Sequence, residues 1–257
     1  MQSPASGRPP PLIVQTSRIA AVSDIHGNLP ALEAVIADAE AQGCNGFVNL
    51  GDSLSGPLWP AETADRLIDL DWPTIAGNHE RQLLTIDRAR MGASDAFARD
   101  AVSDRHLQWL ASLPPTLHLS PDVLLCHGTP TDDLEHFLYT VGGGRAREAT
   151  DAELRERAGD CSESLVLCGH THLPRSATLA DGRTIANPGS VGLQAYDDDH
   201  PEPYRIENGD PLARYAIVEG TKVTLRAIDY DHEAAARRAD ANGSASWAVA
   251  LRTGRMA

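Results

Sequence analysis

Aspartate, asparagine and histidine recur in this 257-residue chain at places where side chains could cage a metal ion. Asp24 and His26 are two residues apart, so on an extended segment they point to the same side. Asp52 follows Gly51, Asn78 and His79 follow Gly77, His127 precedes Gly128, and His170 and His172 flank Thr171. Singly, each has an ordinary reading: Asp-x-His as a surface or capping pair, Gly-Asp as a turn, a close His pair as incidental. Together they offer carboxylate, amide and imidazole donors without thiolate. Such a set suits Mn²⁺, Fe, Zn²⁺, Co²⁺ or Ni²⁺ better than Ca²⁺ or a soft-metal site. Its chemistry is metal-assisted, with bound cations polarising an oxygen substrate or activating water.

The elements that must position these residues are legible as strands ending in polar loops. Arg18 to Ser23 reads as a buried strand that breaks at Asp24-Ile25-His26-Gly27-Asn28. A helix follows from Pro30, with Leu32, Val35, Ile36 and Ala39 on one face and Gly43 at its stop. Phe47 to Leu50 is the next strand, Pro60 to Leu70 a helix, and Thr74 to Ala76 a short strand before Gly77-Asn78-His79-Glu80. Val123 to Cys126 and Leu165 to Cys168 read as strands leading into the later histidines. Ser103 to Leu113 and Thr150 to Ala158 read as helices, the second with a Thr150/Glu153 capping box. Ser176–Leu179 with Thr184–Ala186, and Tyr215–Val218 with Val223–Ala227, read as hairpins. Alternating strands and helices predict an α/β fold, in which sites gather at strand ends.

Composition bounds the rest. Hydrophobic content is 42% and the formal net charge is −14, which disfavours nonspecific nucleic-acid binding. A small phosphorylated substrate stays possible, because bound cations reverse the sign of the field inside a site. The four cysteines form no C-x-x-C pair and read as reduced. No segment is long and apolar enough to span a membrane, and the expectation is a cytoplasmic protein. Residues 1–16 read as a flexible arm and 17–230 as the main domain, with helical cap segments near 81–122 and 130–163. Residues 231–257 read as a C-terminal helix and tail.

The ordered set DIHGN, GDSLSGP, GNHE, HG and GHTH resembles the calcineurin-like metallophosphoesterase superfamily. The later NPGSVG, Asn187 to Gly192, resembles its small bacterial branch of YfcE-like phosphodiesterases. The resemblance implies a four-layer α/β/β/α sandwich with two mixed sheets. It implies two divalent metal ions: Asp24, His26, Asp52 and His172 around the first, and Asp52, Asn78, His127 and His170 around the second, Asp52 bridging. It implies that a hydroxide shared by the ions attacks phosphorus in line, with His79 as acid or substrate-orienting group. The charges agree with that assignment, since two dications outweigh Asp24, Asp52 and a hydroxide and leave the site positive. Many relatives read GDxxD, where the second Asp steadies the His of GNHE. Here Ser55 occupies that position, which leaves the partner of His79 open.

The function expected on this basis is hydrolysis of a phosphate ester, foremost a phosphodiester of small or nucleotide-like size. Phosphomonoesterase, dinucleoside polyphosphate hydrolase, protein phosphatase and a catalytically silent metal-binding scaffold are the alternatives. Gly142-Gly143-Gly144-Arg145 reads as a solvated loop, Phe137 and Tyr139 as helix packing, Tyr196 as a residue of the site rim, and Trp247 as an anchor of the tail.

Overall fold

The computed structural model describes residues 18–257, so the expected arm at 1–16 lies outside the described residues. In chain order the strands are β1 (Arg18–Val22), β2 (Gly46–Asn49), β3 (Leu117–Ser120), β4 (Val123–Leu125), β5 (Tyr139–Gly142), β6 (Arg145–Glu148) and β7 (Leu165–Leu167). They continue with β8 (Arg175–Thr178), β9 (Thr184–Asn187), β10 (Ala195–Asp198), β11 (Tyr204–Glu207), β12 (Ala213–Glu219) and β13 (Lys222–Ile228). The α-helices are α1 (Leu29–Ala41), α2 (Pro60–Leu70), α3 (Asn78–Thr85), α4 (Ala93–Ala101), α5 (Asp104–Ser112), α6 (Asp151–Ala158), α7 (His232–Ala241) and α8 (Ala245–Thr253).

Two mixed sheets face one another, ordered β13-β12-β1-β2 and β3-β4-β7-β9-β8. Strand alternation builds the layers. Ile19 and Ala21 of β1 and Val48 of β2 point inward and meet Leu125, Leu165, Leu167 and Ala186 of the second sheet. Ala20 and Val22 point outward and pack with Leu32, Val35, Ile36 and Ala39 of α1. On the far side, Leu124, Val166 and Ile185 pack with Leu154 and Ala158 of α6. The chain therefore forms the expected α/β/β/α sandwich. Burying each such Leu, Ile or Val contributes about 1.5–3 kcal/mol against the entropy of ordering.

The expected helical face of α1 is the buried face, and Asn28 caps the helix by accepting the Ala31 N–H. Thr150 and Glu153 form their capping box at α6. Both predicted hairpins are present, as β8–β9 and β12–β13.

Several elements differ from the sequence reading. Thr74 makes only an isolated parallel bridge to Asn49, so Thr74–Ala76 is not a strand in its own right. The segment 130–163 holds the hairpin β5–β6 as well as α6, and Gly143-Gly144 is the turn of that hairpin. With β10 and β11 this hairpin makes a third sheet, ordered β10-β11-β6-β5. Phe137 is a buried core residue outside any helix, and Tyr139 lies in β5. Beyond α7 a second C-terminal helix, α8, packs back on the domain through Ala248 and Leu251. All four cysteines are free. Among the described residues no helix is long and apolar enough to cross a membrane.

Candidate metal centre

Strands β1, β2, β4 and β7 end at the same edge, and each passes into a loop carrying one or more of the predicted donors. Asp24 and His26 follow β1, Asp52 follows β2, His127 follows β4, and His170 and His172 follow β7. Asn78 and His79 open α3. Among the described residues six non-glycine positions have positive φ, and five of them are Asp24, His26, Asp52, His170 and His172. Only Asp and His among common metal ligands visit this left-handed region with any ease, and each instance costs of order 1 kcal/mol. The loops are held there by packing. Gly51, itself at φ +95°, lies so close to Gly77 that a Cβ would come within 2.5 Å of its nitrogen. The buried Glu80 carboxylate accepts the N–H groups of Asp52, Ser53 and Gly77 at 2.7–2.8 Å. Asn187, the last residue of β9, donates to Gly169 O and Thr171 Oγ1 and ties down the histidine loop.

The donors form two groups. Asp24, His26 and His172 bring ligand atoms within 4.8 Å of one another, and Asp52, His127 and His170 do the same. Asn78 Oδ1 is 3.1 Å from His127 Nε2, and Asp52 Oδ2 is 3.0 Å from the same nitrogen. Asp24 Oδ1, at 3.9 Å from His127 Nε2, links the groups. His79 stands at the mouth with Nε2 4.0 Å from Asp52 Oδ2. All eight sequence-predicted residues thus converge at one place.

The hydrogen bonds fix the chemistry of the donors. Nδ1 of His26, His127 and His172 faces the carbonyls of Ser55, Leu50 and Leu193 at 2.7–2.8 Å. A carbonyl only accepts, so each Nδ1 carries the proton and, in a neutral ring, each Nε2 presents a lone pair. Yet His26 Nε2 and His172 Nε2 are 3.0 Å apart. His127 Nε2 likewise looks at the amide or carboxylate oxygens of Asn78 and Asp52. Both oxygens of buried Asp24 lack any hydrogen-bond partner. Lone pairs aimed at lone pairs, beside orphaned carboxylate oxygens, repel unless a cation or proton lies among them. His170 is reversed: its Nε2 faces Leu134 O at 3.0 Å, which leaves Nδ1 for the second group. The donor set therefore fits two divalent ions, and the carbonyls hold the rings as second partners commonly hold metal-binding imidazoles.

The ionisation pattern has the same origin. Burial, reinforced by His172 and His79, pushes His26 down to about 3. Burial and the neighbouring His127 push His170 down to about 4. Burial also opposes charge on His127, but the carboxylates of Asp52 and Asp24 overcome it and hold the ring at about 10. Burial opposes charge on His79 too, and Asp52 and Asp95 raise it to about 9.

Sequence reasoning missed three contributors. Asp95, on α4, accepts from His79 Nδ1 at 2.7 Å and takes the place left open by Ser55. Trp247 of α8 does more than anchor the tail, since its ring sits 5.9 Å from that of His26. His136 lies edge-on to His170 at 5.1 Å and shares a 3.1 Å hydrogen bond with Tyr204. Neither Asp95 nor Trp247 stands in a motif, and only tertiary packing brings them in. Tyr196 does line the rim, 4.7 Å from His172.

Residues 18–204 match the family profile described as the calcineurin-like phosphoesterase superfamily domain, and the chain belongs to that superfamily. It is accordingly a metallophosphoesterase by class, with two groups of side chains suited to divalent ions. The chain is similar to the uncharacterized protein MJ0912 of Methanocaldococcus jannaschii, 25% identical over 90% of this chain and 95% of that protein. It is similar to a metallophosphoesterase from Sphaerobacter thermophilus, 27% identical with TM-score 0.72, covering 93% of this chain and all (100%) of the other. The hypothetical protein PH1004 from Pyrococcus horikoshii shares the fold at TM-score 0.76 and 16% identity, over 94% of this chain and 100% of its own.

Proposed function

We propose that the protein is a phosphodiesterase for small or nucleotide-like esters, working through two divalent ions. Asp24, His26 and His172 would hold one ion and Asn78, His127 and His170 the other, with Asp52 available to both. The observation that carries this reading is the pair of donor clusters, above all the 3.0 Å approach of the Nε2 atoms of His26 and His172, whose Nδ1 atoms both face carbonyls. Mn²⁺, Fe, Zn²⁺, Co²⁺ and Ni²⁺ all suit the donors. When bound, two such ions supply Lewis acidity toward the phosphoryl oxygens and an activated water.

The chain's own residues do the rest. The carbonyls of Ser55, Leu50 and Leu193 keep three imidazoles in the tautomer that offers Nε2. The backbone N–H of His79 donates to Asp52 Oδ1 at 2.9 Å, which fixes that carboxylate. His79 turns Nε2 toward the site and is held by Asp95 behind. With Asp52 and Asp95 favouring its charged form, it would donate a proton to the leaving oxygen or a hydrogen bond to the phosphoryl group.

The test is hydrolysis of bis-p-nitrophenyl phosphate by chelated protein before and after Mn²⁺ is restored. Activity that appears with metal supports the reading. Folded protein that binds two ions and hydrolyses neither diester nor monoester sinks it, and a preference for the monoester replaces diesterase with monoesterase.

A further inference from the structure

The metal centre lies at the foot of a cavity of about 520 Å³ whose walls are unlike one another. One wall is apolar: Trp247 and Ala250 from α8, Leu193 and Ala195 from the run into β10, and Met256. Trp247 is held tightly. Gly56 lies so near the indole that a Cβ there would come within 2.7 Å of it. The indole surface begins beside His26, next to the place where a phosphoryl group would sit. Elsewhere on the wall stand the exposed carboxylates of Asp197 and Asp198. Among the described residues, no Lys or Arg lines the cavity. Positive charge is therefore concentrated at the metal groups and the adjoining His79; the lining holds one further imidazole, the exposed His200, whose backbone N–H donates to Asp198. One phosphoryl group is neutralised there. A second or third phosphate, strung outward, meets carboxylates and indole with no Lys or Arg to pair with, and desolvating it uncompensated is costly.

We propose that this cavity selects phosphate esters with a single phosphoryl centre, whose second substituent is an uncharged, planar apolar group seated on Trp247, and that it rejects polyphosphate chains. The proposal rests on the phosphoesterase reading above. An uncharged ring gains from burial against the indole and from offset or edge-to-face contact, at little entropic cost.

The experiment compares pairs of substrates that share a leaving group, on metal-replete full-length protein. The first pair is bis-p-nitrophenyl phosphate and methyl p-nitrophenyl phosphate. The wild type favours the bis-aryl ester in kcat/KM by about tenfold or more, and Trp247→Ala reduces that preference at least about fivefold, through KM. The second pair is the p-nitrophenyl ester of thymidine 5′-monophosphate and that of thymidine 5′-triphosphate, with free Mn²⁺ held constant. The triphosphate ester is slower in kcat/KM by about tenfold or more. An unchanged aryl preference in Trp247→Ala overturns the proposal, as does equal or faster cleavage of the triphosphate ester. If Trp247→Ala does not fold, Trp247→Phe and the wild-type triphosphate comparison decide it. Failure of the wild type on every ester overturns instead the phosphoesterase reading on which the proposal stands.

Discussion

His79 Nδ1 lies 2.7 Å from Asp95 Oδ1, and Asp95 comes from α4, a helix outside every recognisable motif. The carboxylate is nearly buried, at 6% side-chain exposure, while the ring it holds is 24% exposed toward the cavity. A buried carboxylate behind a partly exposed imidazole both aims the ring and favours its charged form. Asp95→Asn keeps an acceptor and removes the charge. It should lower kcat by about 10–100-fold with metal content intact. Because Asp95 raises the pKa of His79, its loss should also move the alkaline limb of the kcat–pH profile to lower pH. A rate and profile matching wild type in both Asp95→Asn and Asp95→Ala would show that His79 is steered by something else.

Asp52 is the residue proposed to serve both ions. It contacts His127, faces His79 and is fixed by the His79 N–H. Asp52→Asn should lose at least about 100-fold in activity and bind fewer metal ions per chain, since a neutral amide balances less cationic charge. Elemental analysis beside a rate measurement checks this, and full metal content with full activity would contradict the bridging role.

Metal-free protein should be most stable near pH 6.5. His26 and His170 are held at about 3 and about 4 when folded, but take a proton below about 6.5 when unfolded. The unfolded chain then binds more protons, so stability falls as pH drops below 6.5, by roughly 1 kcal/mol per pH unit for each ring. His79 and His127 are raised to about 9 and about 10. Their stabilisation is complete below 6.5 and is lost as pH rises toward those values. Thermal melts of chelated protein from pH 5 to 9 should therefore trace a dome. A melting temperature that climbs steadily across the range would rule this out.

Restoring metal should raise Tm, most at alkaline pH, where no proton competes for His127. At free ion about 100-fold above Kd the gain is about 3 kcal/mol per site. Calorimetry with and without Mn²⁺ or Zn²⁺ measures it, and an unchanged Tm at saturating metal would exclude ion binding at these groups.

Gly51→Ala should destabilise the fold by about 2 kcal/mol or more, because the position combines φ +95° with a Cβ driven against Gly77. Denaturant unfolding reads this directly.

The strand-end donors were legible in the sequence because their positions are local facts: an apolar run, a stop, then Asp, Asn or His. The layers came with the family resemblance; the apolar runs of β1, β4 and β7 are continuous, so they mark buried strands without saying which residue faces which layer. The third sheet was not legible, since β6 and β11 touch through a single register pair between Arg145 and Arg205, far apart in the chain. Helix α4 and its Asp95 carried no periodic signal strong enough to place them. Trp247 was visible as a large apolar residue, but nothing local says that α8 folds back beside His26.

The left-handed backbone at Asp24, His26, Asp52, His170 and His172 has an evolutionary corollary. These positions draw from a short alphabet, in which Asp, Asn, His and Gly are tolerated and branched or long side chains are resisted. A step to Gly forfeits a donor and a step to Asn leaves only a neutral amide oxygen, whereas a step to Glu or Cys keeps a charged donor but strains the chain. Drift can therefore extinguish this centre in one move, yet it has no easy path to a different one.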